Sequence, residues 1–145
     1  MKKYLLPLLF ACILWGCEDK TTDITVMPEA TTTGENTFGC LKDGWLYVGG
    51  RYSSLHFPSI QFIYQKDEEV MSARVIVKPD LTLSFSIPQP QEGSCKIENF
   101  YFGRDSIGNN TLNITRFDEK DGIISGEFEG GPISYGRFDI RYQEE

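Results

Sequence analysis

Short runs in which apolar and polar residues alternate dominate the chain after residue 36. In residues 81–87, Leu83 and Phe85 share one face with further apolar residues, whereas Ser84 and its polar neighbours lie on the other. A period of two is typical of a strand with one buried face, so the pattern predicts that Leu83 and Phe85 lie in a core. Similar runs predict strands at 37–41, 45–48, 59–65, 71–77, 95–102, 111–117, 123–129 and 136–142.

Turn residues separate these runs at intervals that are typical of antiparallel sheets. Asp43-Gly44 and Asp121-Gly122 suit hairpin turns, because glycine and aspartate tolerate the positive φ that such turns require. No window of helical length in this region has a period of 3.6. The sequence therefore predicts one all-β domain over residues 37–145, an antiparallel β-sandwich or barrel of about 8–9 strands, and it leaves open which of the two forms.

The first sixteen residues have the pattern of an export signal that ends in a lipid-attachment box. Lys2 and Lys3 precede an apolar run at 5–15, and Cys17 follows it. A transmembrane helix needs about 20 apolar residues, so this run is too short to span a bilayer. We therefore expect residues 1–16 to be a lipoprotein signal peptide and Cys17 to carry acyl chains such as palmitate, which anchor the protein to a membrane.

Two details bear on this anchor. Cys12 offers a second box, but cleavage there would leave residues 13–15, which are apolar, at the start of the mature chain, so Cys17 is preferred. Glu18-Asp19 resembles the signal that sends Bacteroidota-type lipoproteins to the outer face of the outer membrane. The sequence leaves both the cell surface and the periplasmic face open.

Residues 17–36 comprise the lipidated cysteine and a threonine-rich stretch around Pro28, with few large apolar residues. Such a composition predicts a flexible tether. Without residues 1–16 the chain has 12 basic and 21 acidic residues, a net charge of −9. This charge argues against nucleic acid and against anionic lipid surfaces as partners, since both repel an acidic domain. The remaining candidate partners are neutral glycans, cationic groups or other proteins.

Cys40 and Cys95 are the remaining cysteines once Cys12 is removed and Cys17 is acylated. Two cysteines in an exported domain suggest a disulfide. The alternative is two buried thiols that behave as small apolar residues. Because sequence spacing cannot show that their Cβ atoms face each other, both possibilities stay open.

Several segments carry a resemblance to known proteins. Thr33-Gly34-Glu35-Asn36-Thr37-Phe38-Gly39-Cys40, then Asp43-Gly44-Trp45, resembles the opening of a family of small Bacteroidota-type lipoproteins of unknown function. Ile124-Ser125-Gly126-Glu127-Phe128 and Gly136-Arg137-Phe138-Asp139-Ile140 are similar to the last two strands of that family. The resemblance implies an exported all-β domain and brings no catalytic residues.

Catalytic and metal-binding patterns are weak. His56 is the single histidine, and a surface position before Phe57-Pro58 is favoured over a general base beside Ser53 or Ser54. One histidine and two cysteines do not make a tetrahedral zinc site. The acidic stretches 66–69 and 118–122 lack EF-hand spacing and indicate solvated turns. A glycosidase pair among the 21 acidic residues cannot be located from sequence.

Aromatic residues are frequent in the chain, at 13% of the sequence. They could form a glycan platform or a protein-binding hot spot, or simply favour strands. The prominent residues are Trp45, Tyr47, Tyr52, Tyr64, Tyr101 and Phe102. We expect Trp45 and Phe62 in the core, and Tyr52 and Tyr101 at the surface.

These observations predict a lipid-anchored envelope protein, in the outer membrane, whose β domain binds or assembles without catalysis. No cofactor or metal is expected, and the partner would be a glycan or a protein. Two alternatives stay open. One is a carrier with a lipocalin-like apolar cavity, and the other is an accessory protein that binds or processes glycans.

Overall fold

A computed structural model describes residues 22–145, which form strands and turns and no helix. No part of this region is therefore a helix long and apolar enough to cross a membrane. The predicted signal peptide and Cys17, the predicted acylation site, lie outside the described residues. The strands are β1 (Thr37–Lys42), β2 (Trp45–Val48), β3 (Ile60–Gln65), β4 (Val70–Lys78), β5 (Leu81–Pro88), β6 (Gly93–Cys95), β7 (Glu98–Phe102), β8 (Asp105–Ser106), β9 (Asn110–Asp118), β10 (Ile123–Gly130), β11 (Ile133–Arg141) and β12 (Gln143–Glu144).

The strands form two six-stranded sheets that pack face to face as a sandwich, so the predicted all-β fold is confirmed and the barrel is not formed. Sheet A has the order β2-β1-β11-β10-β9-β6, and sheet B has the order β12-β3-β4-β5-β7-β8. Neighbouring strands are antiparallel except β12, which pairs with β3 in parallel. The last residues thus leave β11 of sheet A and join sheet B, which links the two layers.

Phenylalanine rings from both sheets fill the space between the layers. Phe85 of sheet B lies 5.8 Å from Phe62, 5.9 Å from Phe128 and 6.2 Å from Phe138, measured between ring centroids. Phe85 and Phe62 are each 2% exposed and Leu83 is fully buried, as the sequence predicts. Aromatic pairs at these distances add to the free energy gained from apolar burial.

The predicted strand at 95–102 is in fact two strands, because the chain changes sheets within it. Residues 93–95 form β6 at the edge of sheet A, and residues 98–102 form β7 in sheet B. Ile97 lies in the link between β6 and β7, is 7% exposed and packs in the core. This burial explains why the alternation of apolar residues continued through the link. The strand count also rises above the prediction, because β6, β8 and β12 have only two or three residues each.

The prediction that Trp45 lies in the core is also wrong. Trp45 is the first residue of β2, which is an edge strand, and it directly follows the Asp43-Gly44 turn. Its side chain is 74% exposed for that reason. The turn itself is as predicted, since Asp43 and Gly44 have φ values of 51° and 80°. Gly122, at the other predicted turn, has a φ of 64°.

The predicted disulfide between Cys40 and Cys95 is not formed. Cys40 lies in β1 and Cys95 in β6, four strand steps apart in sheet A. At about 4.8 Å per step the two residues are separated by about 19 Å, well beyond the reach of a disulfide. Burial raises the pKa of the Cys40 thiol to about 12. The Cys95 thiol instead donates to the carbonyl of Gln91 at 3.2 Å.

Candidate functional site

A solvent-open groove of about 390 Å³ crosses the outer face of sheet A, over strands β6, β9, β10 and β11. Side chains on alternate positions of these strands point away from the phenylalanine core and toward this face. Those that line the groove are mostly polar: Ser94, Thr111, Asn113, Glu127, Glu129, Tyr135 and Arg137. A groove with this lining suits a polar ligand better than an apolar one.

Strand register places four of these side chains in one row. Ser94 pairs with Asn113, Asn113 with Glu127, and Glu127 with Arg137. Neighbouring strands are about 4.8 Å apart, so the row extends over about 14 Å. It presents a hydroxyl, an amide, a carboxylate and a guanidinium in sequence. Such a row donates and accepts hydrogen bonds along its whole length.

Tyr135 stands beside this row and is 63% exposed. The pairing of β11 with β10 is irregular between Phe128 and Gly130, opposite Tyr135. At this bulge Tyr135 has a φ of 52°, a left-handed conformation that tyrosine rarely adopts. Bulges of this kind redirect a side chain, and strained residues concentrate at functional sites. An exposed ring in a strained backbone is therefore a feature that core packing does not explain.

Arg137 carries unused hydrogen-bonding capacity at the groove. Its Nε is buried and has no hydrogen-bond partner among residues 22–145. Its Nη1 donates to the carbonyl of Pro28 in a long contact of 3.4 Å. A buried donor without a partner costs free energy, so a ligand acceptor or a bound water there would stabilise the site.

The segment 22–36 contacts the groove residue Arg137 through Pro28 and is hydrogen-bonded to the outer face of sheet A. Asp139 of β11 is the fastening point, and it is 1% exposed although it points away from the core. Its carboxylate accepts from the backbone N–H groups of Thr33, Gly34 and Glu35 at 2.9–3.1 Å. The hydroxyls of Thr31 and Ser125 each donate to it at 2.6 Å.

Three consecutive backbone N–H groups around one carboxylate form an anion-binding nest. Gly34 makes the nest possible, since its φ is 78°. Burial raises the pKa of Asp139, but the hydrogen bonds from Ser125, Thr31, Glu35 and Gly34 outweigh this and hold the pKa below the ordinary value of 3.8. The carboxylate is charged at neutral pH and fully engaged, so its role is structural. The stretch expected to be a flexible tether is thus docked on the domain from Thr31 to Glu35.

The docked segment forms part of a second groove on the outer face of sheet A. Residues 30–32, together with Thr115, Gly126 and Glu127, line a smaller groove of about 210 Å³. Glu127 lines both grooves and so connects them. Arg116 further ties the segment down, because its Nη1 donates to the carbonyl of Thr32 at 2.7 Å.

The larger groove contains two carboxylates that belong to the same strand. Glu127 and Glu129 are two residues apart on β10 and project from the same face. Carboxylates that cleave a glycosidic bond flank it from opposite sides, whereas these two lie side by side on an open surface. Residues 22–145 contain no group of three histidine, cysteine, aspartate or glutamate side chains that could hold a metal ion.

The structure disperses the aromatic residues singled out in the sequence. Tyr64 and Phe102 are buried, at 5% and 4% exposure, and Tyr47 packs on Phe102 with ring centroids 4.9 Å apart. Tyr101 is 42% exposed, as predicted, but it lies on sheet B, whereas Trp45 lies on sheet A. Tyr52 is half-buried. No single platform brings these six residues together.

The other candidate residues lie apart from the groove. His56 is exposed in the loop before β3, as predicted for a surface histidine. Asp118 accepts from Arg116 at 2.7 Å and from the backbone N–H of Lys120 and Asp121 at 3.0 Å, so it shapes the turn before β10. Lys66 pairs with Glu119 at 3.6 Å, which joins the two acidic stretches as solvated turns.

Sequence reasoning missed the residues that line the groove and the role of Asp139. The polar side of the alternation in β9 and β10 held a signal for the first, since Asn113, Glu127 and Glu129 all fall on it. Strand order decides which polar faces become neighbours, and no local pattern supplies it. No known protein family, curated protein or solved structure matches the chain.

Proposed function

We propose that this protein is a lipid-anchored component of the bacterial cell envelope whose sandwich binds a polar, uncharged ligand, with an oligosaccharide as the best fit. The anchor is Cys17 after removal of residues 1–16, and the address is the outer membrane. The observation that carries the binding proposal is the row Ser94, Asn113, Glu127 and Arg137 beside the exposed ring of Tyr135.

Sugar chemistry matches this row. Hydroxyls donate to carboxylates and accept from amides and guanidinium groups, and an aromatic face packs on the C–H surface of a sugar ring. The row of about 14 Å is long enough for two or three sugar units, at the strand spacing of about 4.8 Å. The two carboxylates and one guanidinium of the groove leave it slightly acidic, which favours a neutral ligand over an anionic one.

The alternatives receive less support. A lipocalin-like carrier needs an enclosed apolar cavity inside a closed barrel, whereas phenylalanine rings occupy the space between these two sheets. A glycan-processing enzyme needs two carboxylates on opposite sides of the scissile bond. The paired glutamates of β10 do not have that arrangement.

Binding of the lipidated protein, held in detergent micelles, to an array of neutral and acidic oligosaccharides tests the proposal. We expect a neutral oligosaccharide to bind, and Tyr135→Ala and Glu127→Gln each to weaken it about tenfold, which corresponds to about 1.4 kcal/mol. Tyr101→Ala and Glu98→Gln are matched controls, because both side chains are exposed on sheet B. Equal losses in the control variants, or no binding by the native protein, would refute the proposal.

A further inference from the structure

The loop between β2 and β3 presents apolar side chains to solvent on a structured tip. Leu55 is 100% exposed and Phe57 is 41% exposed. The Ser54 hydroxyl accepts from the backbone N–H of Phe57 at 3.0 Å, and the backbone N–H of Ser54 donates to the carbonyl of Phe57 at 3.1 Å. The tip at residues 54–57 is therefore a defined turn that holds Leu55 outward.

Charge around the tip contrasts with the rest of the domain. The chain has 21 acidic residues, yet none occurs between Asp43 and Asp67. Arg51 is exposed, and the guanidinium of Arg74 lies 4.3 Å from the centroid of the Phe57 ring. Asp23 is the acidic group that faces Arg51. Exposed apolar side chains beside arginines are typical of segments that lie in a membrane interface.

Thr22, the first described residue, lies at the base of the same loop. A Cβ built on Gly50 would lie 2.8 Å from the Thr22 hydroxyl, so Thr22 packs directly against Gly50. Cys17 is five residues before Thr22, and Leu55 is five residues after Gly50. Five extended residues span at most about 17 Å, so the anchor and the tip are both held within that distance of one contact.

We propose that residues 51–58, the lipid-facing loop, lie on the bilayer that carries the acylated Cys17, with Leu55 inserted among the head groups. This inference depends on the lipid anchor proposed above. The net charge of the domain repels anionic lipid, but the anchor already holds the domain at the surface. Repulsion then turns the acidic faces away and favours an orientation in which this basic, apolar loop lies against the membrane. The groove, which extends to the opposite edge of sheet A from β2, faces away from the lipid.

Depth-dependent fluorescence quenching tests this orientation. The lipidated full-length protein is reconstituted into vesicles of phosphatidylethanolamine and phosphatidylglycerol that contain lipid brominated near the head-group end of its acyl chains. Trp45→Phe removes the tryptophan of the sandwich, and Leu55→Trp then reports from the tip. Tyr135→Trp in the same background is the matched control, because Tyr135 is also exposed but lines the groove.

We expect the Leu55→Trp emission to fall by about half, since an interfacial side chain lies about 5–10 Å into the head-group region, and the Tyr135→Trp emission to stay unchanged. Flotation with the vesicles and palmitate labelling report the anchor independently. Protein that floats and carries palmitate, but whose Leu55→Trp emission is not quenched, overturns the orientation and leaves the anchor intact. Protein that neither floats nor carries palmitate overturns both.

Discussion

Replacing Asp139 by alanine should detach the segment 31–36 from sheet A. The substitution leaves three backbone N–H groups and two hydroxyls without their acceptor. A buried donor without a partner costs about 1–3 kcal/mol, but these costs do not add, because the released segment is hydrated by water. We therefore expect Asp139→Ala to lower the free energy of unfolding by about 3–5 kcal/mol.

Replacing Asp139 by asparagine removes the charge of the side chain but keeps its size and shape. Its amide oxygen can accept where Oδ2 accepts now, and its NH₂ group can donate to the Ser125 hydroxyl, so the main loss is the charge of the acceptor. We expect Asp139→Asn to cost about 1.5–3 kcal/mol at neutral pH. The lowered pKa of Asp139 gives the sign of the pH dependence. The stabilisation is complete above the ordinary value of 3.8 and is lost as the pH falls through the lower pKa of the folded state.

Urea unfolding followed by circular dichroism, at neutral pH and well below pH 3.8, measures both effects. The difference between the native protein and Asp139→Asn should narrow as the pH falls. Asp43→Asn is the matched control: its side chain is 65% exposed, and we expect a change within about 0.5 kcal/mol. An Asp139→Ala variant as stable as this control, or a difference that does not change with pH, would refute the nest as the fastening point.

Three further predictions concern the core, the cysteines and the bulge. Phe85→Ala should cost about 3–5 kcal/mol in urea unfolding, whereas Ser84→Ala costs little, and similar losses would contradict the two-faced strand. Thiol titration of the mature protein should find Cys95 reactive in the folded state and Cys40 reactive only after denaturation, since burial raises the Cys40 pKa to about 12; a protein without titratable thiols would contradict the strand order. Tyr135→Gly should leave stability unchanged or raise it by up to about 1 kcal/mol, because it relieves the positive φ. A loss of stability would assign Tyr135 a structural role.

Local patterns in the sequence predicted most of the strands. The alternation around Leu83 and Phe85 gave the correct buried face, and Asp43-Gly44 gave the correct turn, because both depend on residues close in sequence. The prediction that Trp45 is buried was wrong because it does not depend on local sequence alone. Its apolar character indicated burial, but burial also depends on whether a strand is central or at an edge. That distinction arises only when the strands are ordered in a sheet.

The candidate site depends even more on strand order. Glu127 and Arg137 are ten residues apart and Ser94 is more than thirty residues away, yet register aligns them across neighbouring strands. The nest also consists of residues that are far apart in sequence, since it joins Thr33-Gly34-Glu35 to Ser125 and Asp139. These residues belong to three segments, 33–40, 124–128 and 136–140, two of which are far from the first in sequence. Their contact gives those segments a shared structural purpose that sequence spacing alone did not indicate.

The lipid anchor is the claim on which the proposed address and orientation both depend, and intact-mass spectrometry of the membrane-extracted protein tests it most directly. We expect a mature chain that begins at Cys17 and whose mass exceeds that of residues 17–145 by two or three acyl chains with a glyceryl group. Cys17→Ala should remove this added mass and leave the precursor uncleaved. A native chain with an unmodified Cys17, or one that begins at another residue, would contradict the lipid anchor.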